Sequence, residues 1–178
     1  MIDYLIVGCG LAGISFAEEA LQHNKTILVV DNDSQNSSKI AGGLYNPVIL
    51  KRFSEVWGAQ SQLVAIDEFY TQLKPRIEQQ LDYKMPILRK FFSIEEQNNW
   101  FAASDKPALA PFLSTQLRYN ELKGITAPFG YGEVLHTGYV DTASLLSTYR
   151  NYLVANNSFR QESFDYAAII FEEDVVRY

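Results

Sequence analysis

Short apolar runs alternate with longer amphipathic stretches along this chain. Tyr4 to Val7 (YLIV) is wholly apolar. Leu11 to His23 then places Ile14, Ala17 and Leu21 on one helical face, with Glu18 and Glu19 on the outside. Thr26 to Val30 is apolar again, so the opening reads strand, helix, strand. Phe53 to Trp57 leads into a long helical pattern in which Ile66, Phe69, Tyr70, Leu73, Ile77 and Leu81 recur at three- and four-residue spacing. Pro75 must kink or end that helix near Lys74. Met85 to Ser93 reads as a strand. Ile94 to Ala103 reads as a short helix, with Ser93 as its cap and Glu95 and Glu96 in its first turn. Lys106 to Pro111 is a loop, and Thr115 to Thr126 has no clear period. Pro128 to Gly138, rich in glycine and aromatics, leads into a strand region holding His136. Gly138 to Thr142 starts a helix whose buried face is Leu145, Leu146, Tyr149 and Leu153, and Asn156-Asn157 stops it. Ser158 to Ser163 reads as a third parallel strand. Ala167 to Phe171 and Val175 to Tyr178 read as an antiparallel pair joined at Glu172-Glu173-Asp174.

The junction of the first strand and helix carries the chemistry. Gly8, Gly10 and Gly13 form a GxGxxG turn between them, and the second strand ends on Asp31. That is the dinucleotide-binding fingerprint in its required context. Gly8 allows the tight turn, Gly10 lets the backbone approach a pyrophosphate, and Gly13 lets helix pack on strand. The free N–H groups at the helix start hold phosphate. Asp31 stands where a carboxylate accepts both ribose hydroxyls, and its charge argues against a 2′-phosphate. A polar loop, Asn32 to Lys39, then leads to a second glycine segment, Ile40 to Pro47 (IAGGLYNP), where a nicotinamide dehydrogenase would run into its next helix and strand. The Gly42-Gly43 pair permits close backbone approach, as a second clamp on a longer cofactor would require. Lys51 and Arg52 follow, as solvated cations or as positive charge near such a cofactor or a substrate carboxylate.

Composition narrows the field further. The chain has 178 residues, is 47% hydrophobic and carries a net charge of −6, so it buries a real core and disfavours non-specific nucleic-acid or anionic-membrane binding. Its single cysteine, Cys9, excludes an internal disulfide and fits a reducing compartment. Cys9 fills a small slot in the glycine turn, with a redox role as the alternative. His23 and His136, with that one cysteine, are too dispersed for a zinc site. No run reaches membrane-spanning length, and the cytoplasm is the expected location.

The order of these parts resembles the D-amino-acid oxidase-like family of FAD-dependent oxidoreductases. The match rests on Gly8 to Gly13, on Asp31, on Ser37-Ser38 with Ala41-Gly42-Gly43-Leu44, and on Gly138-Tyr139-Val140-Asp141 heading a helix. The resemblance implies a Rossmann-like, three-layer α/β domain that binds FAD without a covalent tether. It implies an α+β insertion that begins a substrate domain, with residues 1–82 and 136–178 in the FAD domain and 83–135 in the insertion. It implies contacts to pyrophosphate from Leu11 and Ala12, to ribose from Asp31 and to adenine from Asn32 and the Val175 backbone. Ser37 and Ser38 would line the diphosphate, and Gly42, Gly43 and Leu44 the ribityl chain and flavin. The implied reaction oxidises a C–N bond of an amine or amino acid by hydride transfer to the flavin. The family's catalytic residues are expected beyond Tyr178, so the chain is expected to be an N-terminal fragment that is inactive alone. Its expected partners are a small-molecule amine and the remainder of its own chain, with no membrane and no direct nucleic-acid contact. An NAD-binding dehydrogenase-type domain and a nucleotide-binding module linked to tRNA modification stay open as alternatives.

Overall fold

The computed structural model describes residues 1–35, 37–119, 123–173 and 175–178. Asn36 of the polar loop, Asn120 to Leu122 of the aperiodic stretch and Asp174 of the expected hairpin link lie outside the described residues. In chain order the elements are β1 (Tyr4–Val7), α1 (Leu11–Gln22), β2 (Ile27–Val30), α2 (Ser37–Ile40), β3 (Leu44–Tyr45), β4 (Val48–Ile49), β5 (Ser54–Glu55), α3 (Ala59–Ile77), β6 (Asp82–Lys84), β7 (Ile87–Lys90), α4 (Ile94–Ser104), β8 (Tyr131–Val134), β9 (Gly138–Val140), α5 (Thr142–Ala155), β10 (Phe159–Arg160), β11 (Ile170–Phe171) and β12 (Val176–Arg177). Two compact units result. The first holds Met1–Ala41, Pro75–Gln79 and Thr142–Tyr178, and the second holds Gly42–Lys74 and Gln80–Asp141. The second unit is wider than the 83–135 insertion drawn from sequence.

The first unit is built on a parallel sheet in the order β1-β2-β10. β1 and β2 pair from Tyr4↔Ile27 to Val7↔Val30, and β10 joins the far side of β2 at Phe159↔Val29 and Arg160↔Val30. Parallel pairing of two short apolar runs needs a connection long enough to return along the sheet, which the helix between them supplies. Ile14, Ala17 and Ala20 of α1 and Leu145, Leu146, Tyr149 and Leu153 of α5 are buried with Ile27, Val29 and Val30. The pair β11 and β12 is antiparallel, as expected, and a 3-10 turn at Tyr166–Ala168 precedes it.

Glu18 departs from expectation. The Glu18-Glu19 pair reads as a solvated face, yet Glu18 is completely buried. Three side chains satisfy it. Arg76 Nε donates to its Oε1 at 2.8 Å, Gln22 Nε2 donates to the same oxygen at 3.2 Å, and the Tyr149 hydroxyl donates to its Oε2 at 3.1 Å. Arg76 also donates to the Tyr152 hydroxyl at 2.8 Å. Burial, then Glu18, pushes the Tyr149 phenol well above its ordinary value. Burial alone would lower the Arg76 pKa, but the bond to Glu18 and its charge outweigh that and raise it. Periodicity could not reveal this, because the partners come from 58 and 131 residues away.

The second unit contains the antiparallel sheet β3-β9-β6 and the pairs β4–β5 and β7–β8. Its core gathers Val48, Phe91, Trp100, Leu109, Phe112, Leu113 and Val134, with the Trp100 indole N–H donating to the Ser114 carbonyl at 2.8 Å. Ser93 caps α4 as read from sequence, accepting from the Glu96 N–H at 3.1 Å. Glu96 in turn accepts from the Phe92 N–H and from Arg89.

Three sequence readings in this region are corrected. The helix α3 does not stop before Pro75 but runs on to Ile77, where Glu78 turns left-handed at φ 45°. Pro75 has no N–H to give the preceding turn, and the helix runs only two residues past it. His136 is not in a strand. It sits in the turn between β8 and β9 at φ 56°, exposed, with its ring edge-on to Phe112. Gly138 to Val140 forms strand β9, and the helix begins only at Thr142.

Glu96 carries a pH prediction. Burial raises its carboxyl pKa, but the Arg89 and Phe92 hydrogen bonds outweigh this and hold it below the ordinary 4.5. A depressed acid contributes stability above its unfolded pKa and loses it as pH falls through the folded one. Wild type is therefore expected to lose more stability than Glu96→Gln between about pH 5 and pH 3. Denaturant midpoints across that range check it, and equal slopes for the two proteins refute it.

Candidate functional site

The turn after β1 is pinned to the end of β2. The Gly8 N–H donates to the Val30 carbonyl at 2.8 Å, and the Cys9 N–H donates to Asp31 Oδ2 at 2.6 Å. Gly8 lies at φ 103°, a backbone state that side chains rarely adopt. A β-carbon at Gly13 would fall on the Gly8 carbonyl oxygen, far inside the 3.0 Å that real β-carbons keep. Helix α1 therefore approaches the turn as closely as backbone allows. Gly10 is its N-cap, with no side-chain hydrogen bond. The Leu11 N–H donates to Ser38 Oγ at a long 3.4 Å. A helix start left this open offers N–H donors and the positive dipole end to an anion.

Beside it lies a cavity of about 710 Å³, within the range of small-molecule and cofactor sites. The sequence-predicted residues Gly8, Gly10, Asp31, Asn32, Ser37 and Ser38 line it together. Leu11, Ala12 and Gly13 form the adjoining first turn of α1. Val175 does not line it and stands half-exposed before β12, its carbonyl accepting from the Glu172 N–H. Gly42, Gly43 and Leu44 belong to the second unit. There Gly43 lies at φ 64°, and a β-carbon would fall on the Val140 carbonyl, so β9 already accounts for that glycine. Gly42 faces open space.

Asp31 is more heavily engaged than the sequence suggests. Besides Cys9, its Oδ1 accepts from the Asp33 N–H at 2.6 Å and from Arg150 at 3.3 Å. Asn32 is also occupied, donating to Ser163 and accepting from the Ser34 N–H. Arg150 also pairs with Asp33 at 3.3 Å, and Lys39 closes on Asp33 from the other side. Lys39 first, then Arg150, hold the Asp33 carboxyl below the usual carboxylate range. Burial raises the Cys9 thiol, opposite to the lowering a reactive thiolate needs. Sequence reasoning passed over Arg150 because it adjoins the apolar face of α5. Its signal was there: it is the one charged residue between Thr142 and Asn157.

Among the described residues no cluster of His, Cys, Asp or Glu could hold a metal ion, and no helix is long and apolar enough to cross a membrane. No protein-family model matches the chain. Solved structures do. Iminodiacetate oxidase from Chelativorans sp. matches over 97% of this chain with a TM-score of 0.68 at 12% identity. Glycine oxidase from Geobacillus kaustophilus matches over 89% with a TM-score of 0.65 at 14% identity. Glycine oxidase from Bacillus cereus matches over 97% with a TM-score of 0.62 at 18% identity. The chain has the fold of these oxidases and spans 49%, 45% and 49% of their lengths.

Proposed function

We propose that this chain is the dinucleotide-binding half of an FAD-dependent oxidoreductase that oxidises a C–N bond of an amino acid or another small amine. The observation that carries the reading is the close Gly8–Gly13 crossing, which leaves a helix start without an N-cap side chain beside a cavity that Asp31 lines. The fold shared with glycine and iminodiacetate oxidases supplies the reaction class. The residues present fit the cofactor: the α1 N–H groups suit a diphosphate, Ser37 and Ser38 suit its flank, and Asp31 suits a ribose hydroxyl. When bound, FAD supplies a hydride acceptor, and the protein's task is to hold and orient it. The turn of β1 fixes the diphosphate position, and the acidic end of β2 fixes the ribose. Gly42, Gly43 and Leu44 are proposed for the flavin side, and the Val175 backbone and Asn32 for the adenine.

The full-length protein is expected to purify yellow and to release FAD on denaturation. A colourless protein that FAD cannot reconstitute, but that binds NADH, would replace this reading with the NAD-dependent one. Loss of flavin colour on anaerobic addition of an amine panel would then define the substrate.

A further inference from the structure

The end of β2 carries a neutral chain of alternating charges: Asp31, Arg150, Asp33, Lys39. Arg150 reaches it from α5. Its Nη2 stands 3.3 Å from Asp31 Oδ1 and 3.3 Å from Asp33 Oδ1, and its Nη1 stands 3.3 Å from Asp33 Oδ2. The Phe159 ring backs the guanidinium at 4.9 Å. All four charged residues line the cavity. An anion entering there meets these two carboxylates and Glu162, against Lys39 and Arg150, in a chain whose net charge is already −6, so without Arg150 three carboxylates would face one cation.

We propose that Arg150 is a positioning residue for the nucleotide: it supplies the counter-charge that admits a diphosphate beside Asp31 and Asp33, and it sets how many ribose hydroxyls Asp31 can accept. This rests on the dinucleotide reading above. A carboxylate offers about four acceptor positions. Here Cys9, Asp33 and Arg150 fill three of them, so one ribose hydroxyl is accepted, not both. The repulsion of a 2′-phosphate expected from Asp31 alone is correspondingly reduced, because Arg150 neutralises it. Lysine at this position would keep the charge but not the fork that bridges two carboxylates.

The test measures ADP affinity of the full-length apoprotein by calorimetry. In about 20 mM salt, Arg150→Met is expected to bind ADP about tenfold more weakly than wild type. The gap should narrow to about threefold or less in about 300 mM salt, where charge repulsion is screened. Arg150→Lys should recover most of the affinity. Wild type should lose affinity for only one of 2′-deoxy-ADP and 3′-deoxy-ADP, and Arg150→Met for both. A packing role alone would produce neither the salt dependence nor the change in analogue pattern. Asp33→Asn provides a second reading should Arg150→Met fold poorly. Asparagine tolerates the φ of 63° at that position, and the loss of one carboxylate should tighten ADP binding at low salt. Equal ADP affinity of Arg150→Met and wild type at low salt, a gap that salt does not narrow, or an Asp33→Asn no tighter than wild type overturns the proposal. A wild-type protein that binds neither ADP nor FAD overturns the dinucleotide reading itself.

Discussion

Gly13→Val is expected to abolish flavin retention and to destabilise the first unit by about 3 kcal/mol. The carbonyl that a β-carbon would strike belongs to Gly8, which is itself held by the Val30 carbonyl through its own N–H. Neither partner can give without breaking the β1–β2 junction. Helix α1 must therefore move outward, carrying its N–H groups away from the proposed phosphate position. Absorbance of the purified full-length variant and its denaturant midpoint measure the two effects. Gly42→Ala is the control. It meets no atom within 4 Å, so its midpoint should equal that of wild type. Full flavin occupancy in Gly13→Val would refute the assignment of the turn.

Glu18→Ala is expected to cost about 3 kcal/mol, at the lower end for a broken buried ion pair because Arg76 keeps 28% of its side chain exposed. The loss strands the Arg76 guanidinium and leaves the buried Tyr149 hydroxyl without its carboxylate. The effect should be largely reversed in Glu18→Leu with Arg76→Met, since two apolar groups of similar size need no partners. Denaturant midpoints of the single and double variants form the test. If the double variant is no more stable than Glu18→Ala, the cost comes from packing and not from an uncompensated charge.

The βαβ opening was readable from sequence because each signal there is local: two apolar runs, three glycines at fixed spacing, one acid. The N-cap of α4 was readable for the same reason, since Ser93 and Glu96 sit within one turn of each other. Features set by distant partners were not. Glu18 reads as surface until Arg76 and Tyr149 are brought to it, and nothing local in the sequence draws Arg150 to Asp31. His136 and the strand β9 were misplaced because a left-handed turn at a histidine carries no periodic signature. Gly43 was read for a ligand, and the fold adds a second reason for glycine there, since a β-carbon would strike the Val140 backbone.

The sheet order has a consequence for how the chain acquires its structure. β1 meets β2 across a short helical crossover, whereas β10 reaches the same β2 with Phe159 opposite Val29, 130 positions away along the chain. Closing the longer loop costs about 1.5 kcal/mol more in chain entropy than closing the shorter. Non-local pairings of this kind slow folding. On the ribosome the glycine turn can therefore form early, while Asp31 gains Arg150, and Glu18 gains Tyr149, only after the whole intervening second unit has been synthesised. The proposed nucleotide site would thus be assembled in two instalments, with the glycine turn long before the Asp31–Arg150 pair.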